Sequence, residues 1–168
     1  MQQVDTFVNG TWNYSVMVGD TGPLVYPAGH LYIYTALYYV TGKGADVRLA
    51  QYIFMALYLL NLASVLKIYQ TWKQVPPFVL VILCLTSYRI HSIFILRLFN
   101  DCIAMFLMHS CLLAVLHNLS LAASVLYSLS VSIKMNTLLF APAFCLVFLI
   151  SEGWKKAIGC GILAGLIQ

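Results

Sequence analysis

Hydrophobic runs alternate with short polar breaks along nearly the whole chain. Residues 1–26 are polar and read as a loop. Residues 27–40 form a first apolar, Tyr-rich segment, short of the ~20 residues a helix needs to cross a ~30 Å hydrocarbon core. Residues 41–48 read as a hairpin loop, 49–66 as a clear span, and 67–77 as a loop whose Trp72 suits a membrane interface. The apolar run 78–86 is too short to span alone and breaks into 87–101, the most polar stretch at membrane depth. Two moderately apolar segments follow, 102–116 and 119–133. Residues 137–150 form another, with a kink expected at Pro142. A loop at 151–156 leads into a last apolar segment from Ala157. The pattern predicts roughly six or seven helices, several shorter than a standard span. Such breaks are tolerated in a bilayer only where they line protein or a watery cavity, so the pattern also implies a cavity within the bundle.

Composition fixes the class. Hydrophobic residues make up 62% of the chain and charged residues 8%, with a mean hydropathy of +0.89. A soluble domain carries about a quarter charged residues, so a globular, water-soluble fold is excluded. The expected fold is an all-α, polytopic transmembrane helical bundle. Net charge is +4, and the Lys and Arg residues are scattered apart from Lys155-Lys156, which leaves no stripe for nucleic acid. The five cysteines lie in or beside apolar runs without a CxxC pair, as packing residues do; none has zinc-ligand spacing. Sequons at Asn9 and Asn13 favour a lumenal loop. With that loop lumenal, Lys43 and Arg48 are cytosolic, as the positive-inside rule prefers, but Lys67 and Lys73 become lumenal, which it disfavours. The parity stays open.

Candidate chemistry sits in three places. Residues 19–29 (GDTGPLVYPAG) hold three Gly and two Pro, which fix a shaped loop around one carboxylate, Asp20, beside Tyr26. Residues 87–101 (SYRIHSIFILRLFND) place Arg89, His91, Arg97, Asn100 and Asp101 in an apolar setting, where insertion of an Arg or Asp costs roughly +2.5 to +3.5 kcal/mol. Two readings compete: an Arg97–Asp101 ion pair one helical turn apart with Arg89 snorkelling, or a cation set that receives a phosphate. On an unbroken helix His91 and Arg97 face different ways, so convergence needs a break. Lys134 is a lone ammonium between apolar segments, suited equally to snorkelling or to a ligand. His30 begins the Tyr-rich segment as an interfacial residue, and His109 and His117 carry no assigned chemistry. No GxGxxG, P-loop, GxSxG or HExxH motif occurs.

These blocks, with residues 130–142 (SVSIKMNTLLFAP) and 45–58, resemble the endoplasmic-reticulum α-1,3-mannosyltransferases that use dolichyl-phosphate-mannose. The resemblance runs over essentially the whole chain. It implies a multi-pass membrane glycosyltransferase of the GT-C type in the endoplasmic reticulum. Its donor would be dolichyl-phosphate-mannose and its acceptor dolichyl-diphosphate-linked Man5GlcNAc2. No cofactor or metal is implied. A β-linked donor and an α product mean inversion: one carboxylate takes the acceptor proton while cations stabilise the departing phosphate. By analogy Asp20 is the catalytic candidate. Tyr26, Arg89, His91, Arg97, Asn100, Asp101 and Lys134 are the substrate-binding set. Members of the family are longer, so the chain is expected to be a piece, with 1–26 a lumenal loop and 27–168 one truncated membrane region. The acidic stretch where the base is expected lies upstream, and the isolated chain is expected to show little or no transfer. An inactive truncated membrane protein and a transporter with intramembrane charges are the alternatives.

Overall fold

A computed structural model describes residues 1–19, 22–73 and 75–168. The chain folds as a helical bundle, and the only strands among these residues are two short ones paired antiparallel. In chain order the elements are α1 (Gln2–Val8), β1 (Val18–Gly19), β2 (Gly22–Pro23), α2 (Ala28–Val40), α3 (Val47–Trp72), α4 (Pro77–Thr86) and α5 (Tyr88–His91). A π-helix (Ser92–Leu96), α6 (Asp101–Leu116), α7 (Ser120–Ile133), a 3-10 turn (Met135–Phe140), α8 (Ala141–Glu152) and α9 (Trp154–Ile167) complete it. The first 26 residues are therefore more than a loop: α1 packs on α2 through Val4, Met17, Leu24, Leu31 and Tyr38.

Among the described residues two helices are long and apolar enough to cross a membrane, α3 and the continuous 135–152 stretch, and a third span exists if α4 and residues 88–96, bent by 50°, are one unit. The chain is a membrane protein. Asp46 starts α3, its carboxylate accepting the Leu49 N–H at 3.0 Å, and Lys73 ends it with φ 55°. Pro76 and Pro77 start α4, where the missing N–H costs nothing. The kink expected inside 137–150 is corrected: Pro142 stands in the first turn of α8, and the irregularity precedes it as the 3-10 turn. Pro is tolerated at that position because the first helical N–H groups have no intrahelical partner.

At the centre of the bundle α6 lies against both α3 and α7. Small residues (Ala104, Cys111, Ala114, Ala123, Ser124, Ser130) bring α6 and α7 close, and Ser130 donates to the Ala104 carbonyl at 2.8 Å. This is how membrane helices associate, since lipid supplies no hydrophobic drive between them. Cys102, Cys111 and Cys160 are buried in this core, as packing residues should be, while Cys84 and Cys145 face outward. Outside the core, large apolar side chains such as Tyr52, Leu59, Phe78 and Leu85 are exposed, as lipid-facing positions require.

Candidate functional site: a polar junction at the start of α6

Residues 92–101 do not form the continuous α-helix on which Arg97 and Asp101 would pair. The π-helix ends with the Arg97 N–H donating to the Ser92 carbonyl five residues back, and Leu98 follows with φ 53°. A left-handed Leu is uncommon and carries strain, so the neighbouring structure has to hold it. Of the two competing readings, the Arg97–Asp101 pair is corrected on this ground. Asp101 instead opens α6 and forms its ion pair with Lys134, thirty-three residues away, at the end of α7. The carboxylate also lies at a helix N-terminus, where the backbone dipole favours a negative charge. Lys134 is presented by a break as well: it is extended (φ −146°, ψ 118°) between α7 and the 3-10 turn.

The sequence reading missed what α2 contributes. Tyr26, His30, Tyr34 and Tyr38 recur at intervals of four, the spacing that places side chains on one helix face. His30 is buried, with its ring between those of Tyr26 (4.5 Å) and Tyr34 (4.3 Å). Its Nδ1 lies 3.3 Å from the Asn100 amide nitrogen, so the imidazole accepts there and is the neutral tautomer with the proton on Nε2. The Tyr34 hydroxyl donates to the Leu98 carbonyl at 2.6 Å, across the turn that needs holding. One step on, the Tyr38 hydroxyl donates to Asp5 at 2.6 Å. Period-four recurrence of aromatics with polar tips was the signal available in the sequence. Gly29 explains part of the shaped motif: a Cβ there would stand 2.6 Å from the Ser132 carbonyl oxygen, so only Gly lets α2 lie this close to α7.

The expected site residues therefore divide. Asn100, Asp101 and Lys134 meet at the junction of α2, α6 and α7, with Tyr26 linked to them through the His30 ring, Asn100 buried and the Lys134 and Asp101 side chains 19% and 31% exposed. Arg89, His91 and Arg97 are exposed and have no ion pair among the described residues. His91 lies edge-on to Tyr58 of α3 at 5.5 Å. Asp20 falls outside the described residues. No group of three or more His, Cys, Asp or Glu suited to a metal ion occurs among the described residues.

The ALG3 protein family model matches residues 1–168. The chain belongs to the ALG3 protein family. Among its relatives is a Drosophila melanogaster protein named dolichyl-P-Man:Man5GlcNAc2-PP-dolichol α-1,3-mannosyltransferase l(2)not2. It is 53% identical over 168 residues, which cover 100% of this chain and 35% of that protein. A Homo sapiens protein named Dol-P-Man:Man(5)GlcNAc(2)-PP-Dol α-1,3-mannosyltransferase is 48% identical over 167 residues, 99% of this chain and 38% of its own. The Arabidopsis thaliana protein of the same name is 48% identical over 149 residues, 89% of this chain and 33% of its own. The chain spans about a third of the length of these relatives. No solved structure matches it.

Within this ALG3 family chain, the junction pairs one cation, Lys134, with one carboxylate, Asp101. An ammonium has three N–H donors, and Asp101 engages one of them.

Proposed function

We propose that the chain forms the donor-handling part of a dolichyl-phosphate-mannose-dependent α-1,3-mannosyltransferase, acting on Man5GlcNAc2-PP-dolichol in the endoplasmic reticulum. The observation that carries this reading is the family match over all 168 residues. The printed activity of the relatives names the donor, the acceptor and the linkage. In this reading residues 1–26 lie in the lumen and residues 27–168 form one membrane region of a GT-C type enzyme.

The reaction balances as a single displacement. The acceptor C3 hydroxyl attacks the anomeric carbon of the donor mannose, and the bond from that carbon to the phosphate oxygen breaks with inversion. A carboxylate takes the hydroxyl proton, and dolichyl phosphate leaves with the electron pair. Asp20, which precedes α2 in sequence, is the carboxylate we assign to that proton. Lys134 meets the leaving phosphate with the donors that Asp101 leaves free, while Asp101 keeps the ammonium aimed. Arg97, exposed beside the junction in sequence, supplies a second cation, and Arg89 and His91 a weaker pair further along. Asn100 and Tyr26 border the phosphate and the mannose. Both ligands carry polyprenyl tails, which the lipid-facing helices leave free to lie in the bilayer.

A chimaera tests this: the 168 residues replace the matching stretch of the Drosophila relative, and mannose transfer is followed in membranes that lack their own activity. Transfer by the parental chimaera is expected. Lys134→Met removes a charge-assisted contact worth ~1.5–3 kcal/mol, so kcat/KM should fall roughly tenfold or more. Arg97→Ala should cost a comparable factor, and Asp20→Asn should abolish turnover while donor binding persists. Parental kcat/KM in Lys134→Met would remove Lys134 from the mechanism, and a silent parental chimaera would overturn the transferase reading itself.

A further inference from the structure

The turn at the junction has backbone hydrogen bonds of its own, Phe99 N–H to the Ile93 carbonyl at 3.4 Å and Cys102 N–H to the Phe99 carbonyl at 3.3 Å, and side chains from α2 add to them. Leu98 is left-handed, Asn100 makes no side-chain cap to α6, and Arg97 closes a π-turn rather than an α-turn. A π-turn followed by a left-handed residue sits above regular helix in energy and persists only when its surroundings over-determine it. Among the described residues two hydrogen bonds reach this segment from the side chains of a distant element, and both come from the same face of α2. They are Tyr34 Oη to the Leu98 carbonyl at 2.6 Å and His30 Nδ1 with the Asn100 amide at 3.3 Å. The two α2 rings stack on one another, so neither swings independently. Asp101 follows Asn100 directly, and Lys134 is aimed by Asp101.

We propose that His30 and Tyr34 are positioning residues for the donor phosphate: they hold the 98–100 turn so that Asp101 keeps Lys134 aimed at the leaving group. The inference rests on the transferase reading above.

Tyr34→Phe is the sharp variant, because it removes one hydroxyl and keeps the ring that stacks on His30. His30→Leu removes the acceptor for Asn100, and His30→Gln restores one. The first measurement needs no transfer activity. Lys134 is acylated in membranes with a small amine-reactive reagent and quantified by peptide mapping, with the exposed Lys155 and Lys156 as internal standards. Tyr34→Phe and His30→Leu should raise Lys134 labelling several-fold, His30→Gln should lie much closer to the parent, and Tyr39→Phe, an exposed tyrosine on the same helix, should not move it. The second measurement is kinetic, in the chimaera. Tyr34→Phe should raise KM for the donor at least about fivefold with KM for the acceptor unchanged, whereas a merely structural role lowers only the amount of active protein. Lys134 labelling at the parental level in both variants, or an unchanged donor KM, overturns the proposal. Raised labelling beside a parental chimaera without transfer supports the positioning role and sinks the transferase reading instead.

Discussion

Two polar regions of this chain look alike in sequence and differ in structure. At the start of α6, Asp101 and Lys134 are partly buried, paired with each other, and bordered by Asn100, His30 and two tyrosines drawn from three helices. Ten residues earlier, Arg89 and His91 stand exposed on α5, next to α4, which buries none of its residues. Both regions put charge into apolar sequence, and among the described residues only the first has an ion-pair partner from a distant element, whereas His91 meets only the Tyr58 ring of α3. A charge among apolar residues marks a candidate, but a site requires that the fold bring opposite charge and fixed dipoles to it, because only those offset the cost of removing it from water.

The comparison can be broken by substitution, and stability in mild detergent, read as the midpoint of thermal unfolding, is the common measure. The largest effect is expected at Gly29→Leu. Its Cβ would meet Ser132 backbone at 2.6 Å, so α2 must move off α7, with a loss of ~3 kcal/mol or more and dispersal of the junction. Next comes Asp101→Asn. It leaves Lys134, 19% exposed, without its carboxylate, and the cost should fall between the ~0.2–1 kcal/mol of an exposed pair and the ~3–5 kcal/mol of a buried one. The double variant Asp101→Asn/Lys134→Met should recover most of that loss, and additive losses would mean that the two groups are not coupled. Tyr34→Phe should cost about 1 kcal/mol, one net hydrogen bond. Arg89→Gln should stay within about 0.5 kcal/mol, as exposed positions do. An Arg89 effect as large as that at Asp101 would erase the distinction between the two regions.

Much of the architecture was legible from hydrophobic periodicity. The long α3 span, the hairpin before it, the short α4, the break within 87–101 and the separate segments 102–116 and 119–133 all appear near their expected places. These follow from local rules: a run of apolar side chains in lipid has to satisfy its backbone internally and so becomes helix. Where readings differed, a longer-range contact outweighed a local one at residues 2–8 and at Asp101, while Pro142 follows the local rule for helix starts. Residues 2–8 form a helix since Val4 finds an apolar face on α2 and Asp5 finds the Tyr38 hydroxyl. Pro142 begins a helix rather than kinking one. Asp101 turns from Arg97, its neighbour by helical spacing, to Lys134, which no spacing rule connects with it.

The candidate site was legible by residue type and partly by position. Asn100, Asp101 and Lys134, named in the expected binding set, stand together, and Tyr26 reaches them through the His30 ring. His30 was read as an interfacial ring, and Tyr34 was passed over within a Tyr-rich run. Their role is invisible without the fold because each polar tip is satisfied by a backbone or amide group sixty-four or seventy residues away. His109 is a second instance: it lies 2.7 Å from Asn61 of α3, a polar contact between α3 and α6 that its own segment gave no reason to expect.

The sequence by itself determined that this is a helical membrane protein, where its helices break, and which family it resembles. Those properties come from side-chain polarity and backbone chemistry summed over neighbours in the chain. Only the tertiary structure decided which charges are partnered. The energy of an ion pair or a buried hydrogen bond depends on distance and on excluded water, and both are set by how α2, α6 and α7 pack.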